Sequence, residues 1–403
     1  MKLLKLSLVA AVAAGALATS ASAVALEEAI KDVDISGMAF VRYQMNKDDS
    51  KESSSHWKFK SVVNLKTTID DNFFFLAGIR YGAGADTDNA SEISTSYGNA
   101  ISVNFDDKEA VYNGGDKKFM LNQLLVGWTP GSTTVMAGRY VLGTFFTDDM
   151  YGDGIKIVNT GIEGMTLADL WADALEKDGD IGTLALTDDI TNHNLYGVAA
   201  IGSYDPISFQ MWYAYLQDIA GLFAVEAALD FGVSDNVSFG IKGQYAFADI
   251  DEDVKALGVD DSKFAAGEAS LNVFGFDASA GYVYYKARNN AASLTSFEDQ
   301  GSFIAAGEIL EDYSVYKGKN NYFFVTAGYT IPNTGLRIGA DYLNGKFTDM
   351  ESGERFKAQE YVGRIGYDYN SKLNFTAWYA HADYKPSEKY DEDAMRIQAT
   401  YKF

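Results

Sequence analysis

The side chains in this sequence that most clearly indicate a chemical role are basic residues at alternate positions. Lys58, Lys60 and Lys66 share one parity within a single stretch, and other basic residues repeat the arrangement elsewhere. Because successive side chains of a β-strand point to opposite faces, these residues are predicted to lie on the polar faces of their strands. The predicted polar-face bases are Arg42, Lys58, Lys60, Lys66, Arg80, Arg139, Arg337, Arg364 and Arg396.

Acidic residues occupy polar faces in the middle of the chain, at Glu226, Glu268 and Asp277. If the sheet closes on itself, the first and last strands become neighbours, so their bases form one wall opposite these acids. Opposed walls of unlike charge create a transverse field, which favours polar solutes and excludes apolar ones. Local pairing is the alternative, because Arg337 with Asp341 and Arg364 with Asp368 have i, i+4 spacing on one strand face.

Hydrolysis is the enzymatic alternative to be weighed for this chain. A protease or lipase needs a histidine that activates water or a serine. The histidines are His56, His193 and His381, each near a predicted loop or strand end and without a recognisable nucleophile motif. The sequence has no cysteine, which excludes thiol chemistry and cysteine-based metal sites. The chain is therefore predicted not to be an enzyme.

The last nine residues show which elements must position the charges. Met395, Ile397, Ala399, Tyr401 and Phe403 alternate with Arg396, Gln398, Thr400 and Lys402. A strand with one apolar and one polar face suits lipid on one side and water on the other, the pattern of a transmembrane β-barrel. An edge strand of a soluble sandwich is the alternative from this stretch alone.

The same alternation recurs along the chain. Strands are predicted at 35–44, 57–69 and 73–81, at the terminus, and around Leu124, Ala137, Lys156, Leu167, Val198, Trp212, Ala227, Lys242, Ser270, Ala280, Thr326, Ala340, Arg364 and Thr376. The fold class is therefore all-β, a transmembrane antiparallel β-barrel of about eighteen strands and general-porin type. The 26 tyrosines and 25 phenylalanines often fall near predicted strand ends, where aromatic girdles belong.

The N-terminus predicts export. Lys2 and Lys5 precede an apolar run that ends at Ala21-Ser22-Ala23, so residues 1–23 are predicted to be a signal peptide. No linker divides residues 24–403, which are predicted to form a single barrel domain with a short N-terminal helix at 26–33. The net charge of −23 argues against nucleic acid as a partner, because its phosphates would be repelled.

Several segments, in order along the whole chain, resemble the campylobacter-type major outer membrane porin family. They are the leader 1–23, Leu26-Glu27-Glu28-Ala29-Ile30-Lys31-Asp32-Val33-Asp34, Asn194-Leu195-Tyr196-Gly197 with Gly202-Ser203-Tyr204-Asp205, Glu298-Asp299-Gln300-Gly301, Lys372-Leu373-Asn374-Phe375 and Tyr401-Lys402-Phe403. The resemblance implies homotrimers of eighteen-stranded barrels in the outer membrane, a preference for cations, and calcium near the constriction.

By analogy with trimeric porins, the segment 141–154 is predicted to fold into the lumen as the constriction. Its acids Asp148, Asp149 and Asp153 would gather cations. The segment looks shorter than the family pattern, which puts the calcium site implied by the resemblance in question. Asp153, Asp180 and Glu298 are the candidate ligands for Ca²⁺, a cation that needs several oxygen ligands. The alternative is that these three are solvated loop acids.

The sequence and the resemblance together predict an outer-membrane porin. The predicted function is a water-filled, cation-preferring channel for passive diffusion of small hydrophilic solutes and ions, with no required cofactor and with outer-membrane lipid around it. A surface adhesin is an alternative that can coexist with the pore, because long polar loops are predicted at 83–117 and 287–321. A barrel hydrolase is the remaining alternative.

Overall fold

The computed structural model describes residues 33–48, 53–84, 102–104, 116–147, 150–176, 193–234, 236–293, 303–311, 316–385 and 391–403. Within these ranges the chain is mostly β-strand. The one α-helix of the described residues is α1 (Glu252–Lys255), capped by the Asp251 side chain. In the same part of the chain, no helix is long and apolar enough to cross a membrane.

Nineteen strands are present in the described residues. They are β1 (Val33–Asp48), β2 (Ser54–Thr68), β3 (Phe73–Gly84), β4 (Ser102–Asn104), β5 (Asp116–Trp128), β6 (Thr133–Val141), β7 (Tyr151–Ile162), β8 (Met165–Leu175), β9 (Leu195–Tyr204), β10 (Ile207–Leu216), β11 (Ala220–Ser234), β12 (Val237–Ile250), β13 (Ser262–Val273), β14 (Phe276–Ala287), β15 (Lys319–Thr330), β16 (Leu336–Thr348), β17 (Arg355–Asp368), β18 (Leu373–Lys385) and β19 (Glu392–Lys402).

Eighteen long strands form a closed antiparallel barrel, and the three-residue β4 pairs only with the start of β5 among the described residues. Closure is made by β1, which pairs with β2 on one side and with β19 on the other. Gly37 and Phe403 exchange both backbone hydrogen bonds, at 2.9 and 3.0 Å. Every long strand thus has two neighbours, which leaves no open edge in the lipid.

The outer surface is apolar and carries aromatic pairs near both ends of the barrel. Phe73 stacks on Trp128 and Tyr367 on Phe375 beside the short connections, which are two to five residues long. Tyr196 stacks on Tyr215 at the opposite end, which we call the long-loop end. In the terminal strand, Ile397 and Tyr401 are exposed whereas Thr400 is buried. This is the alternation that the sequence predicts for a strand between lipid and lumen.

The short connections are built by local side-chain hydrogen bonds. The Asp70 carboxylate accepts the backbone N–H groups of Asn72 and Phe73, each at 2.8 Å, as the Asp70-Asp71-Asn72 sequence predicts for a tight turn. Between β13 and β14 the connection is only Phe274 and Gly275, both with positive φ. These turns fix the register of each hairpin.

Each of the eighteen predicted strands has its counterpart in the barrel. The predicted helix at 26–33 lies outside the described residues except for Val33, which is the first residue of β1. The contact between β5 and β6 is short. It covers only Leu124 to Trp128, and residues 118–120 of β5 pair with β4 instead. The register also shifts within the β3–β5, β7–β8 and β11–β12 pairs.

Candidate functional site: the lumen and two inward segments

The segment between β6 and β7 folds into the barrel. Leu142, Phe145, Phe146 and Met150 are at most 1% exposed and belong to the apolar cluster inside the barrel. The Lys156 ammonium on β7 donates to the Leu142 carbonyl at 2.8 Å and so holds the start of the segment. Of the predicted constriction segment 141–154, residues 142–147 and 150 thus lie inside the barrel, whereas residues 151–154 belong to β7 and Val141 is the last residue of β6.

A second inward segment, 303–311, lies between β14 and β15. The Phe303 ring contacts Phe145 at 4.7 Å and Phe264 at 4.8 Å between ring centroids, so the two inward segments touch. Ile304, Ala306 and Leu310 are buried in the same cluster. Sequence reasoning placed this segment in an exposed loop. The signal that it missed is the cluster of apolar residues itself, which stands in a longer polar stretch and shows no strand or helix period.

The second segment is fastened to the wall by one buried carboxylate. Glu360, on the lumen face of β17, is fully buried and accepts the backbone N–H groups of Glu308, Ile309 and Leu310 at 2.7, 3.0 and 2.9 Å. Gly307 has φ +100°, and a Cβ there would stand 2.6 Å from a Glu360 oxygen. Glycine is therefore required where the segment meets the carboxylate.

Arg364 lies four residues after Glu360 on the same face of β17 and links the second inward segment to β16. Its guanidinium pairs with Asp341 at 2.5 Å and with Glu308, and it donates to the Gly307 carbonyl at 3.0 Å. This is pairing across strands and not the i, i+4 pair with Asp368. Burial raises the pKa of the Glu308 carboxyl above its ordinary value, an effect that the Arg364 charge opposes.

Arg337 also pairs across strands. It reaches over β15 to Asp277 on β14, at 2.5 Å, and not to Asp341. The strand between them carries Gly328 at the crossing point, and a Cβ there would lie 2.2 Å from the guanidinium. The absence of a side chain at Gly328 thus makes room for the ion pair.

Replacing Gly328 with alanine should displace the Arg337–Asp277 pair. Because this pair is partly exposed, we expect a loss of only about 1 kcal/mol in the free energy of unfolding. Gly363→Ala is the matched control, since a Cβ at Gly363 meets nothing within 4 Å. Urea unfolding in the same detergent micelles measures both variants. Equal midpoints for the two would contradict the role given to Gly328.

The remaining bases of the predicted wall lie on neighbouring strands around the closure. Arg42 on β1 stands opposite Lys58 on β2 and donates to Gln398 on β19 at 2.6 Å. The register places Lys60 and Lys66 farther along β2. Lys66 lies over the Phe74 ring at 4.4 Å, and Arg396 lies over Trp378 at 5.2 Å. The closing strands thus bring these bases together as one group.

Two members of the predicted wall are buried in ion pairs near the first inward segment. Arg80 is 4% exposed and lies 3.6 Å from Glu176, which accepts the Tyr151 backbone N–H. Arg139 is bound by both carboxylate oxygens of Asp153 at 3.1 Å. Asp153 therefore supports a buried guanidinium, whereas Asp148 and Asp149 lie outside the described residues.

The three predicted acids of the middle strands are placed on the lumen side by the register. Glu226 accepts a hydrogen bond from Gln210 at 3.0 Å and another from Gln244. Gln244 in turn accepts the Ile304 backbone N–H at 2.7 Å, which links this acid to the second inward segment. Glu268 stands opposite Lys242, and Asp277 pairs with Arg337 as described.

Comparison with protein families matches residues 1–403 to the Campylobacter major outer membrane protein. The chain belongs to this family. It is therefore an outer-membrane protein, as the resemblance predicts. The family barrel is not an enzyme, which confirms that prediction.

Solved outer-membrane channels share the fold of this family member. OpdK of Pseudomonas aeruginosa is 13% identical, with 93% of this chain and 99% of that chain covered and a TM-score of 0.70. OpdL of Pseudomonas aeruginosa is 14% identical, with 93% of this chain and 99% of that chain covered and a TM-score of 0.71. OccAB3 of Acinetobacter baumannii is 14% identical, with 93% of this chain and 100% of that chain covered and a TM-score of 0.67. The comparison with curated proteins gave no significant match.

Two of the three histidines of this family member make contacts that support the fold. His193 Nδ1 lies 2.8 Å from the Gln217 carbonyl, and His381 Nδ1 lies 2.9 Å from Asp393 on the outer face. His56 is half-buried on β2. These positions lie on different strands or loops, in keeping with a barrel that is not an enzyme.

A calcium site does not fit the described part of this barrel. No group of three histidine or carboxylate side chains there could hold a metal ion. Of the three predicted ligands, Asp153 is engaged by Arg139, and a cation would have to displace that guanidinium. Asp180 and Glu298 lie outside the described residues. The calcium expectation stays a prediction.

Proposed function

We propose that the barrel is a water-filled channel through which small hydrophilic solutes and ions diffuse, with cations preferred. The observation that carries the proposal is the lumen itself, where two inward segments narrow a barrel whose inner face bears ion pairs, amides and bases. Charged groups that line a constriction select by charge and polarity. Glu360 holds the second segment and Lys156 holds the start of the first, so the narrowing is part of the resting structure.

The proposed preference for cations rests on how the charges are distributed. The sequence has 56 acidic and 33 basic residues. Four of the wall bases are each paired with a carboxylate, which cancels much of their field at a distance: Arg80, Arg139, Arg337 and Arg364. The acids in excess therefore set the sign of the potential, which enriches cations at the entrance.

Replacing Asp148 and Asp149 with asparagine should lower the preference for cations. We expect the reversal potential in a salt gradient across a planar bilayer to move toward zero. Conductance at high salt should change less, since the Debye length falls from about 10 Å at 0.1 M to about 3 Å at 1 M. Asp153→Asn is kept separate, because that change would leave the Arg139 guanidinium without its carboxylate.

An unchanged reversal potential in the double variant would place the selecting acids elsewhere. Glu308→Gln is then the next variant, because Glu308 lies on the second inward segment. If neither variant changed the reversal potential, the cation preference would lose its basis.

The homotrimer expected from the family resemblance is part of the same proposal. Chemical cross-linking in intact outer membranes tests it, with bands at three times the monomer mass as the expected result. Monomers alone at saturating cross-linker would contradict a trimer, while leaving the channel proposal intact.

A further inference from the structure

A row of lysines runs around the outside of the barrel at its long-loop end. Six consecutive strands each contribute one exposed lysine: Lys263, Lys286, Lys319, Lys346, Lys357 and Lys385. We call them the outer lysine row. Each lies on the same face of its strand as exposed aromatic or aliphatic residues deeper in the wall, such as Tyr282, Phe323 and Tyr361. The row therefore faces outward and not into the lumen.

The strand register places members of the outer lysine row directly opposite one another. Lys286 is opposite both Lys263 and Lys319, and Lys357 is opposite both Lys346 and Lys385. Neighbouring strands are about 4.8 Å apart, so the row extends over about 24 Å. Like charges directly opposite each other destabilise a sheet. Such a row is favourable only where anions are available to bind it.

Few carboxylates of the barrel face offset this charge. On the outward positions of β13 to β18 in the described residues, the one acid is Asp383, which pairs with Lys385 at 3.4 Å. Arg355 adds a further positive charge to the same face. In contrast, the outward positions of β8 to β12 carry no lysine in the described part of the chain. The outer face of β13 to β18 is therefore more positive than that of β8 to β12.

The surroundings of the outer lysine row are those of a surface in contact with lipid headgroups. Both Lys263 and Lys319 lie beside the Tyr284 ring, 5.9 and 5.7 Å from its centroid. Lys346, Lys357 and Lys385 line a groove of about 320 Å³ together with Asn344, Gln359 and the single carboxylate Asp383. Tyrosine beside lysine is typical of the depth at which a membrane protein meets lipid headgroups, with lysine stems on the apolar surface and ammonium groups at the interface.

We propose that the outer lysine row binds the phosphate groups of phosphorylated lipid headgroups in the membrane leaflet at the long-loop end. Lysine ammonium groups bind phosphate as point charges, and Asn344 and Gln359 supply amide donors in the same groove. Long loops of outer-membrane barrels face the cell exterior, which makes this the outer leaflet. The proposal depends on the membrane placement of the barrel and not on its transport properties.

The test is lipid retention by the full-length protein in native mass spectrometry from detergent. Bis-phosphorylated lipid A is the probe, the same lipid with both phosphates removed is the first control, and inorganic phosphate is the second. We expect the wild type to retain lipid A. Its retention of the dephosphorylated lipid should be lower by a factor of about ten or more. Retention should fall with rising salt, because exposed charges are screened.

The matched variants separate position from net charge. Lys346→Gln, Lys357→Gln and Lys385→Gln together should lower lipid A retention about tenfold or more, and the corresponding arginine variant should keep it. Lys60→Gln, Lys66→Gln and Lys242→Gln remove the same charge from the lumen side and should leave retention unchanged. Equal retention by the two glutamine triples would overturn the proposal. So would inorganic phosphate competing with lipid A at equal concentration, which would show a site for free phosphate.

Discussion

Replacing Glu360 with alanine should release the second inward segment and enlarge the channel. Three backbone N–H groups would lose their carboxyl acceptor inside the barrel. A buried donor left without an acceptor costs about 1–3 kcal/mol, so with three such donors we expect the free energy of unfolding to fall by roughly 3 kcal/mol or more. Single-channel conductance should rise, because the segment 303–311 would no longer be fixed against β17.

The matched control is Glu360→Gln. Its amide oxygen can still accept the N–H groups of Glu308 and Ile309, whereas its NH₂ group cannot accept the N–H of Leu310. We therefore expect a smaller loss of stability and a conductance near that of the wild type. If the alanine variant conducted like the wild type, the segment would be held by its apolar contacts with Phe145 and Phe264, and Glu360 would matter for stability alone.

Deletion of Tyr401 to Phe403 should prevent closure of the barrel and so abolish heat-modifiable protein in the outer membrane. The deletion removes the paired backbone hydrogen bonds between Gly37 and Phe403 and the bond from Lys402 N–H to the Lys372 carbonyl at 2.7 Å. Backbone groups left unpaired in lipid cost roughly several kcal/mol each. Electrophoretic mobility before and after heating, in isolated outer membranes, measures the loss.

A second variant separates the backbone from the side chains in this prediction. Replacing the same three residues with alanine keeps the ladder partners of Met38 and Ala39 while removing the stacked rings of Tyr401 and Phe403. We expect this variant to insert in reduced amount. Normal insertion of the deletion variant would mean that β19 does not complete the barrel.

The strands were predictable because lipid and lumen impose opposite demands on alternate residues. Ile397 and Thr400 illustrate this, since one faces lipid and the other is buried within the barrel. The bases around the closure were predictable for the same reason. Parity and closure alone are enough to place Arg42, Lys58 and Arg396 on neighbouring strands.

The pairing of charges was not predictable, because it depends on register between strands. Arg337 binds Asp277 two strands away, and only the lack of a side chain at Gly328 allows it. In β5 the register with β3 shifts between Gly78 and Ile79, which is a bulge. The alternation of apolar and polar residues along β5 alone does not predict it. The segment 303–311 was missed for a different reason. Its buried residues are spaced within a loop, where no regular period marks them.

The neighbour order of the barrel has a consequence for the kinetics of assembly. Apart from β1 with β19, the long strands pair only with those next to them in sequence, so hairpins can form from local contacts. The remaining pairing joins residues about 360 positions apart, and closing a flexible chain of that length costs about 5 kcal/mol in entropy. Hairpins that form first shorten the flexible chain. The wall should therefore assemble early, with the contact between Gly37 and Phe403 forming last.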